Sequence, residues 1–337
     1  MTEPQQFPVA RQSAGFAPLR RPGSIRRTTS IDSDWPEGHD HPWQMIGQAR
    51  DLLTPFDDAG AQVLAIGGFR IIASPNREIQ SIEISPDHPD TRRLVGARAG
   101  GSSRQAIAAT LGDLRGTPTF QLLDDFAGAS LVAGWIWSIW SDNWAARMTR
   151  LSADAKAVPH RKMVNICTGF AKGASSLAAD GMPSPIGQSR TDVGPLENPA
   201  DALGWHAMPL QQGPRKRRAR RIDLWREDGT IKVDAAFQDS GSNPEGGRTA
   251  IHEYRLHAEV DAQSGILTAL QVLPMILPYR ECPGAAVKAT RMIGHKLADF
   301  RNDVLEVLPG PQGCTHLNDV LRALADVPLL ALQLPDR

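Results

Sequence analysis

The feature that constrains this fold most is a set of short motifs that recurs, in one order, along two stretches of the chain. The first stretch carries Arg26-Arg27, Ile31-Asp32, Glu37-Gly38 and Ala49-Arg50-Asp51. The second carries Arg220-Arg221, Ile222-Asp223, Asp228-Gly229 and a strand ending at Asp239. Each then has two β-prone runs joined by turn formers. Residues 63–73 and 78–84 flank Ser74-Pro75-Asn76, and residues 251–260 and 266–272 flank Asp261 to Gly265. Such pairs read as β-hairpins. A helical stretch follows each hairpin. Arg93-Leu94-Val95-Gly96 matches Arg291-Met292-Ile293-Gly294, and Gln121-Leu122-Leu123-Asp124 matches His316-Leu317-Asn318-Asp319.

Shared order across separated motifs is the mark of duplication. The sequence therefore predicts an α+β chain of two tandem, duplicated modules, each an antiparallel sheet with helices packed on one face. The expected divisions are a disordered tail (1–24), a degenerate N-terminal repeat (25–148), a linker and insertion (149–219), and a C-terminal repeat (220–332). The modules are expected to pack through their sheets or through a Trp-bearing helix.

Composition narrows the function. The 37 basic residues balance the 37 acidic ones, which argues against a dedicated nucleic-acid or membrane-surface protein. The N-terminus lacks the apolar core of a signal peptide. The longest nearly apolar run, 127–140, is too short to span a bilayer. Three cysteines do not make a disulfide framework, so reduced thiols in the cytoplasm are expected. The basic run Arg215 to Arg221 reads as the solvated end of the linker.

The asymmetry between the repeats locates the chemistry. His252 alternates in phase with Tyr254, Leu256, Ala258 and Val260, so it shares their face of a strand. Cys282 precedes Pro283 and reads as a helix N-cap. Cys314 precedes Thr315, a good N-cap for the helix that follows. Thiols at helix starts are expected to favour the thiolate, which is both metal ligand and nucleophile. The N-terminal repeat has Thr119 and Gln121 opposite Cys314 and His316.

The leading expectation is a zinc or iron site formed by His252, Cys282, Cys314 and His316, with an open position for Lewis-acid or hydrolytic chemistry on a small-molecule substrate. The alternative is an enzyme with Cys314 as nucleophile and His316 or His252 as base. A third class is an adaptor whose protein partner docks on a Trp face or on the basic run.

Other candidates read as structure. His39-Asp40-His41 lies in a solvated loop. Trp137, Trp140 and Trp144 share a packing face at helical spacing. Asp124-Asp125 reads as helix surface. Gly100-Gly101-Ser102-Ser103 precedes a helix without a nucleotide-binding signature. Cys167 has no partner motif.

Four separated motifs resemble a known family. They are Trp225-Arg226-Glu227-Asp228-Gly229, Ile251-His252-Glu253, Pro278-Tyr279-Arg280-Glu281-Cys282-Pro283 and Gly313-Cys314-Thr315-His316-Leu317. Over about residues 217 to 330 they resemble the bacterial domain of unknown function 2889 family, whose name implies no activity. In it the motif positions are His252, Cys282, Cys314 and His316. More loosely, Cys282-Pro283-Gly284-Ala285-Ala286 and Gly294-His295-Lys296-Leu297 are similar in layout to iron–sulfur scaffold proteins of the NifU/IscU type. That likeness implies a scaffold-like fold. It departs at His252, which stands where those proteins have a Cys, and it lacks their Leu-Pro-Pro-Val-Lys segment.

Overall fold

A computed structural model describes residues 8, 10–57, 60–142, 163–184, 187–210 and 212–335. Nine antiparallel strands form a single sheet: β1 (Ser24–Asp34), β2 (Trp43–Thr54), β3 (Gln62–Ala73), β4 (Ile79–Ser85), β5 (Thr191–Val193), β6 (Arg215–Glu227), β7 (Thr230–Ser242), β8 (Arg248–Asp261) and β9 (Leu267–Ile276). Their order is β4-β3-β2-β1-β6-β7-β8, and both β5 and β9 pair with β8. The hairpins β3–β4 and β8–β9 lie close to where their turn residues place them.

The architecture corrects the expectation of two separate sheets. β1 and β6 pair along their length, from Ser24 opposite Trp225 to Asp34 opposite Arg215. Two four-stranded meanders thereby fuse edge to edge. The reason lies in the basic run, which is not a solvated linker. Arg215 to Arg221 forms the first half of β6, and Lys216, Arg217, Arg218, Arg220 and Arg221 are all buried. The expected boundary at 219/220 falls inside this strand.

Burying so many cations is tolerable only when each meets an anion. Strand alternation sends Lys216, Arg218 and Arg220 to one face and Arg217 and Arg221 to the other. On the helix-covered face Arg218 pairs with Asp239 and Asp319, and Arg220 pairs with Asp125. On the opposite face Arg217 pairs with Asp32 and Arg221 with Asp234. β1 behaves likewise: Arg27 meets Asp51 and Asp326 on the helix face, and Arg26 meets Asp223 on the other. Arg26, Arg27 and Asp32 in β1 thus have the spacing and roles of Arg217, Arg218 and Asp223 in β6. That register is three residues away from the one suggested by the sequence motif, Arg220-Arg221.

Helices cover one face. After β4 come α1 (Gly101–Thr110), α2 (Pro118–Leu131) and the short α3 (Trp137–Trp140). After β9 come α4 (Gly284–Ala289), α5 (Phe300–Val307), α6 (Thr315–Ala323) and α7 (Val327–Ala331). Thr117 caps α2 by accepting from the Phe120 N–H, with Pro118 at the first helical position, where it loses no intrahelical bond. α2 is buried along almost its whole length. Asp124 and Asp125 are therefore not helix surface: Asp124 pairs with Arg301 and Arg322, and Asp125 with Arg220.

The apolar core divides in two. One cluster packs β6–β9 against α4–α7, around Leu224, Phe237, Leu256, Phe300 and Leu317. The other packs β1–β4 against α1 and α2, around Met45, Phe69, Ile71, Phe120 and Phe126. Ion pairs cross the seam reciprocally. Arg104 of α1 reaches Asp319 of α6 at 2.5 Å, and Arg301 of α5 reaches Asp124 of α2 at 2.8 Å.

Trp35 stacks on Trp43 and meets Trp137 edge-on at 5.8 Å. Trp137 and Trp140 are half-buried, and Trp144 lies outside the described residues. Among those residues no single helix is long and apolar enough to cross a membrane; α2 and the stretch after it bend by 49°.

Candidate metal centre

The site begins with strand register. β7 and β8 pair so that Asp239 stands opposite His252, beside a bulge at Asp239/Ser240. Both side chains point toward the helix layer, where α6 brings down His316, its second residue. The two imidazoles stack with centroids 3.6 Å apart and planes 16° apart. His316 Nε2 lies 3.7 Å from Asp239 Oδ2. Ligand atoms of Asp239, His252 and His316 all fall within 4.8 Å of one another, and all three residues are buried.

The polar accounts of this trio are incomplete. Asp239 Oδ1 receives Lys216 Nζ at 2.8 Å and Arg218 Nε at 3.1 Å, and Oδ2 receives Arg218 Nη2 at 2.8 Å. His252 Nδ1 and His316 Nε2 have no hydrogen-bond partner. A buried polar atom without a partner is costly, on the order of 1–3 kcal/mol, so two side by side need a reason. Burial drives His316 down to about 3, and burial together with His316 drives His252 well below its ordinary value. Both rings are therefore neutral and carry a free lone pair. Burial alone would raise Asp239, but Arg218 and Lys216 hold it ionised.

The cysteines behave differently from the sequence expectation. Cys314 is itself the N-cap of α6, and Cys282 precedes the Pro283 cap of α4. Burial pushes both thiols up, Cys282 the further. The backbone N–H groups of His316 and Leu317 lower Cys314, but they are outweighed. Helix-start dipoles thus lose to desolvation, and both groups are thiols. Cys314 Sγ lies 4.0 Å from His316 Nδ1, so the His316 ring stands between the thiol and Asp239.

Of the four residues expected at one ion, His252 and His316 come together with Asp239. Cys314 borders the trio without joining it, and Cys282 sits nearer Cys167. Sequence reasoning missed Asp239 as a donor. Its available signal was an acidic residue in phase with Ile231, Val233, Ala235 and Phe237 on one face of β7. His39 and His41 pair with Asp40 and Glu37 in the exposed turn before β2.

Residues 216–330 match the model of a family described as a protein of unknown function (DUF2889). The match starts in β6 and ends in α7, so it spans Asp239, His252, Cys282, Cys314 and His316. No curated protein and no solved structure matches the chain.

Proposed function

We propose that the C-terminal half holds one transition-metal ion, zinc or iron, between Asp239, His252 and His316. The observation that carries this is a pair of buried imidazoles, each with an unpartnered nitrogen, gathered beside one carboxylate. Two neutral imidazoles and a carboxylate oxygen are borderline donors that suit Zn²⁺ or Fe²⁺. Lys216 and Arg218 orient Asp239, and Oδ2, which accepts from Arg218 Nη2, keeps a second lone pair that can turn toward the ion. This is the outer-shell support that metal ligands need. The ion would tie β7, β8 and α6 together inside the core.

The same burial weighs against the cysteine-nucleophile reading. Cys314 and His316 are 4% and 5% exposed, and burial keeps the thiol protonated. The clefts beside Trp205 and beside Phe69 are lined by other residues.

The test is elemental analysis of protein purified without an affinity tag. We expect close to one zinc or iron per chain, and loss of that metal in His316→Gln. Wild-type protein that stays empty after exposure to both ions would overturn the assignment.

We further infer that the two halves are copies of one unit. The repeated spacing of Arg26, Arg27 and Asp32 in Arg217, Arg218 and Asp223 supports this, as do the reciprocal Arg104–Asp319 and Arg301–Asp124 pairs. Copies should respond alike when the corresponding braces, Arg27 and Arg218, are removed.

A further inference from the structure

The face of the sheet turned away from the helices is covered in one half and bare in the other. In the C-terminal half a cleft over Ala236, Gln238, Glu253 and Arg255 is roofed by Ala14 to Pro18 and by Trp205. The roof is tied down. The Ala14 N–H donates to Glu253 Oε1 at 2.9 Å, and the Ala17 N–H donates to Leu196 O at 2.9 Å.

In the N-terminal half strand register defines the same face. Asp32, which pairs with Arg217 there, stands opposite Ile46; Ile46 stands opposite Arg70, and Arg70 opposite Glu83. Residues directly opposite one another share a face. The next row along the strands is Gln48, Gly68 and Ser85, and Ile66 follows on β3 beside Arg50. The cleft on this face is lined by strand residues alone, so among the described residues no segment roofs it.

Three features of the bare face point to a partner. Ile66 is 64% exposed at a position where a solvated sheet face calls for a polar residue. Gly68 leaves a trough beside it. A Cβ on Gly68 would meet only Gly47 O at 3.1 Å and Ser85 Cβ at 4.0 Å, so no described side chain fills the space above it. A glycine inside a strand marks a place where another backbone can approach closely. Arg70 and Glu83 are opposite charges in opposite positions, yet they do not pair. Arg70 lays Nε and Nη2 on Gln44 Oε1, at 3.2 and 2.8 Å. The Glu83 carboxylate makes no hydrogen bond or ion pair among the described residues.

We propose that this face is an interface between two copies of the chain, stacked sheet on sheet about a two-fold axis that runs along the strands between β3 and β4. That axis lays β3 of one copy over β4 of the other. Arg70 then faces Glu83 of the second copy, and Glu83 faces Arg70 of the second copy. One surface thus supplies both members of two ion pairs, the self-complementarity that a closed two-fold dimer requires. Gly68 faces Ser85 of the second copy, small against small, which lets the sheets approach to the roughly 10 Å spacing of stacked sheets. Ile66 leaves water in the same step. A partner surface of one charge sign would satisfy only one of Arg70 and Glu83, whereas a second copy satisfies both.

The test is the mass of the full-length protein in solution, measured by sedimentation at up to about 100 µM. It compares wild type, Arg70→Glu, Glu83→Arg and the double variant carrying both changes. We expect wild type to dimerise with a micromolar dissociation constant. Each single reversal sets like charges against each other at both pairs and should weaken the dimer by roughly 100-fold. The double variant restores both pairs and should return to within about threefold of wild type. Urea midpoints of the monomers should be unchanged, since both side chains are exposed. Wild type that stays monomeric would overturn the proposal and leave the face to another partner or to water. A dimer that neither reversal weakens would place the interface elsewhere and overturn it too, as would a double variant no tighter than the single ones.

Discussion

The two halves of the sheet set the same arginine at the same joint and finish it differently. In the N-terminal half Arg27 holds Asp51 and touches Gln121 Oε1 at 3.3 Å, and strand register places Ala65 opposite Asp51. In the C-terminal half Arg218 holds Asp239, α6 supplies His316, and the residue opposite Asp239 is His252. Both joints leave a buried nitrogen unpartnered, but of opposite kinds. Gln121 Nε2 is an amide donor, which repels a cation. The unpartnered nitrogens of His252 and His316 offer lone pairs. One scaffold thus supports a structural joint on one side and a candidate metal centre on the other, and two side chains make the difference.

The strongest way to break this comparison is to remove the shared arginine from each half in turn. Arg27 is almost fully buried between Asp51 and Asp326, and Arg218 between Asp239 and Asp319. Either Arg→Ala substitution takes a cation from two buried carboxylates, although Asp239 keeps Lys216, Asp319 keeps Arg104 and Asp326 keeps Arg301. We expect each to destabilise by about 3–5 kcal/mol in urea melts of the metal-free protein. Similar costs support two copies of one brace. A cost below about 1 kcal/mol in one half would show that half to be open to water, and the equivalence would fail.

A smaller effect separates packing from chemistry. Trp137 belongs to the N-terminal half, is half-buried, and packs against Trp35 and His39. A fully buried Trp→Ala change costs about 3–5 kcal/mol; for this ring we expect about 1–3 kcal/mol. Metal content per folded chain should be unchanged, since the ring packs on the N-terminal core and not beside Asp239, His252 and His316. Metal loss in Trp137→Ala alongside an unaltered melt would couple the halves in a way the static arrangement does not show.

What the sequence revealed and concealed follows from the range of the interactions. Both hairpins were legible because their turns and alternating runs are local. His252 drew notice because a polar residue in phase with an apolar face stands out, and His316 only because it stands two residues after Cys314. The basic run was misread because charge was counted without its partners. Arg218 finds Asp319 and Arg220 finds Asp125 about a hundred positions away in the chain, and no local rule anticipates such pairs. The β1–β6 pairing that fuses the halves is equally long-range. Asp239 was passed over for the same reason, since its role depends on a helix that arrives much later.

The sharpest remaining asymmetry lies on the other face of the two central strands. Where β1 presents Thr28 and Ser30, the corresponding positions of β6 are Ala219 and Arg221. The two hydroxyls bracket His206, with Ser30 Oγ 2.8 Å from Nε2 and Thr28 Oγ1 2.9 Å from Nδ1. Burial, with help from Arg50 and Arg217, drives this imidazole down to about 3, whereas in the unfolded chain it titrates near 6.5. A depressed value means that the unfolded state takes up the proton first. The contribution of His206 to stability is therefore complete above about pH 6.5 and is lost as pH falls from there toward 3. Glutamine can hydrogen-bond both hydroxyls and has no proton to gain in this window. His206→Gln should thus flatten the fall in unfolding free energy between pH 6.5 and 4 by up to about 1.4 kcal/mol per pH unit, measured by urea melts beside wild type. His252 and His316 titrate in both proteins and cancel in the difference. Parallel pH profiles would show that His206 is protonated in the folded state and that the hydroxyl bracket does not hold it neutral.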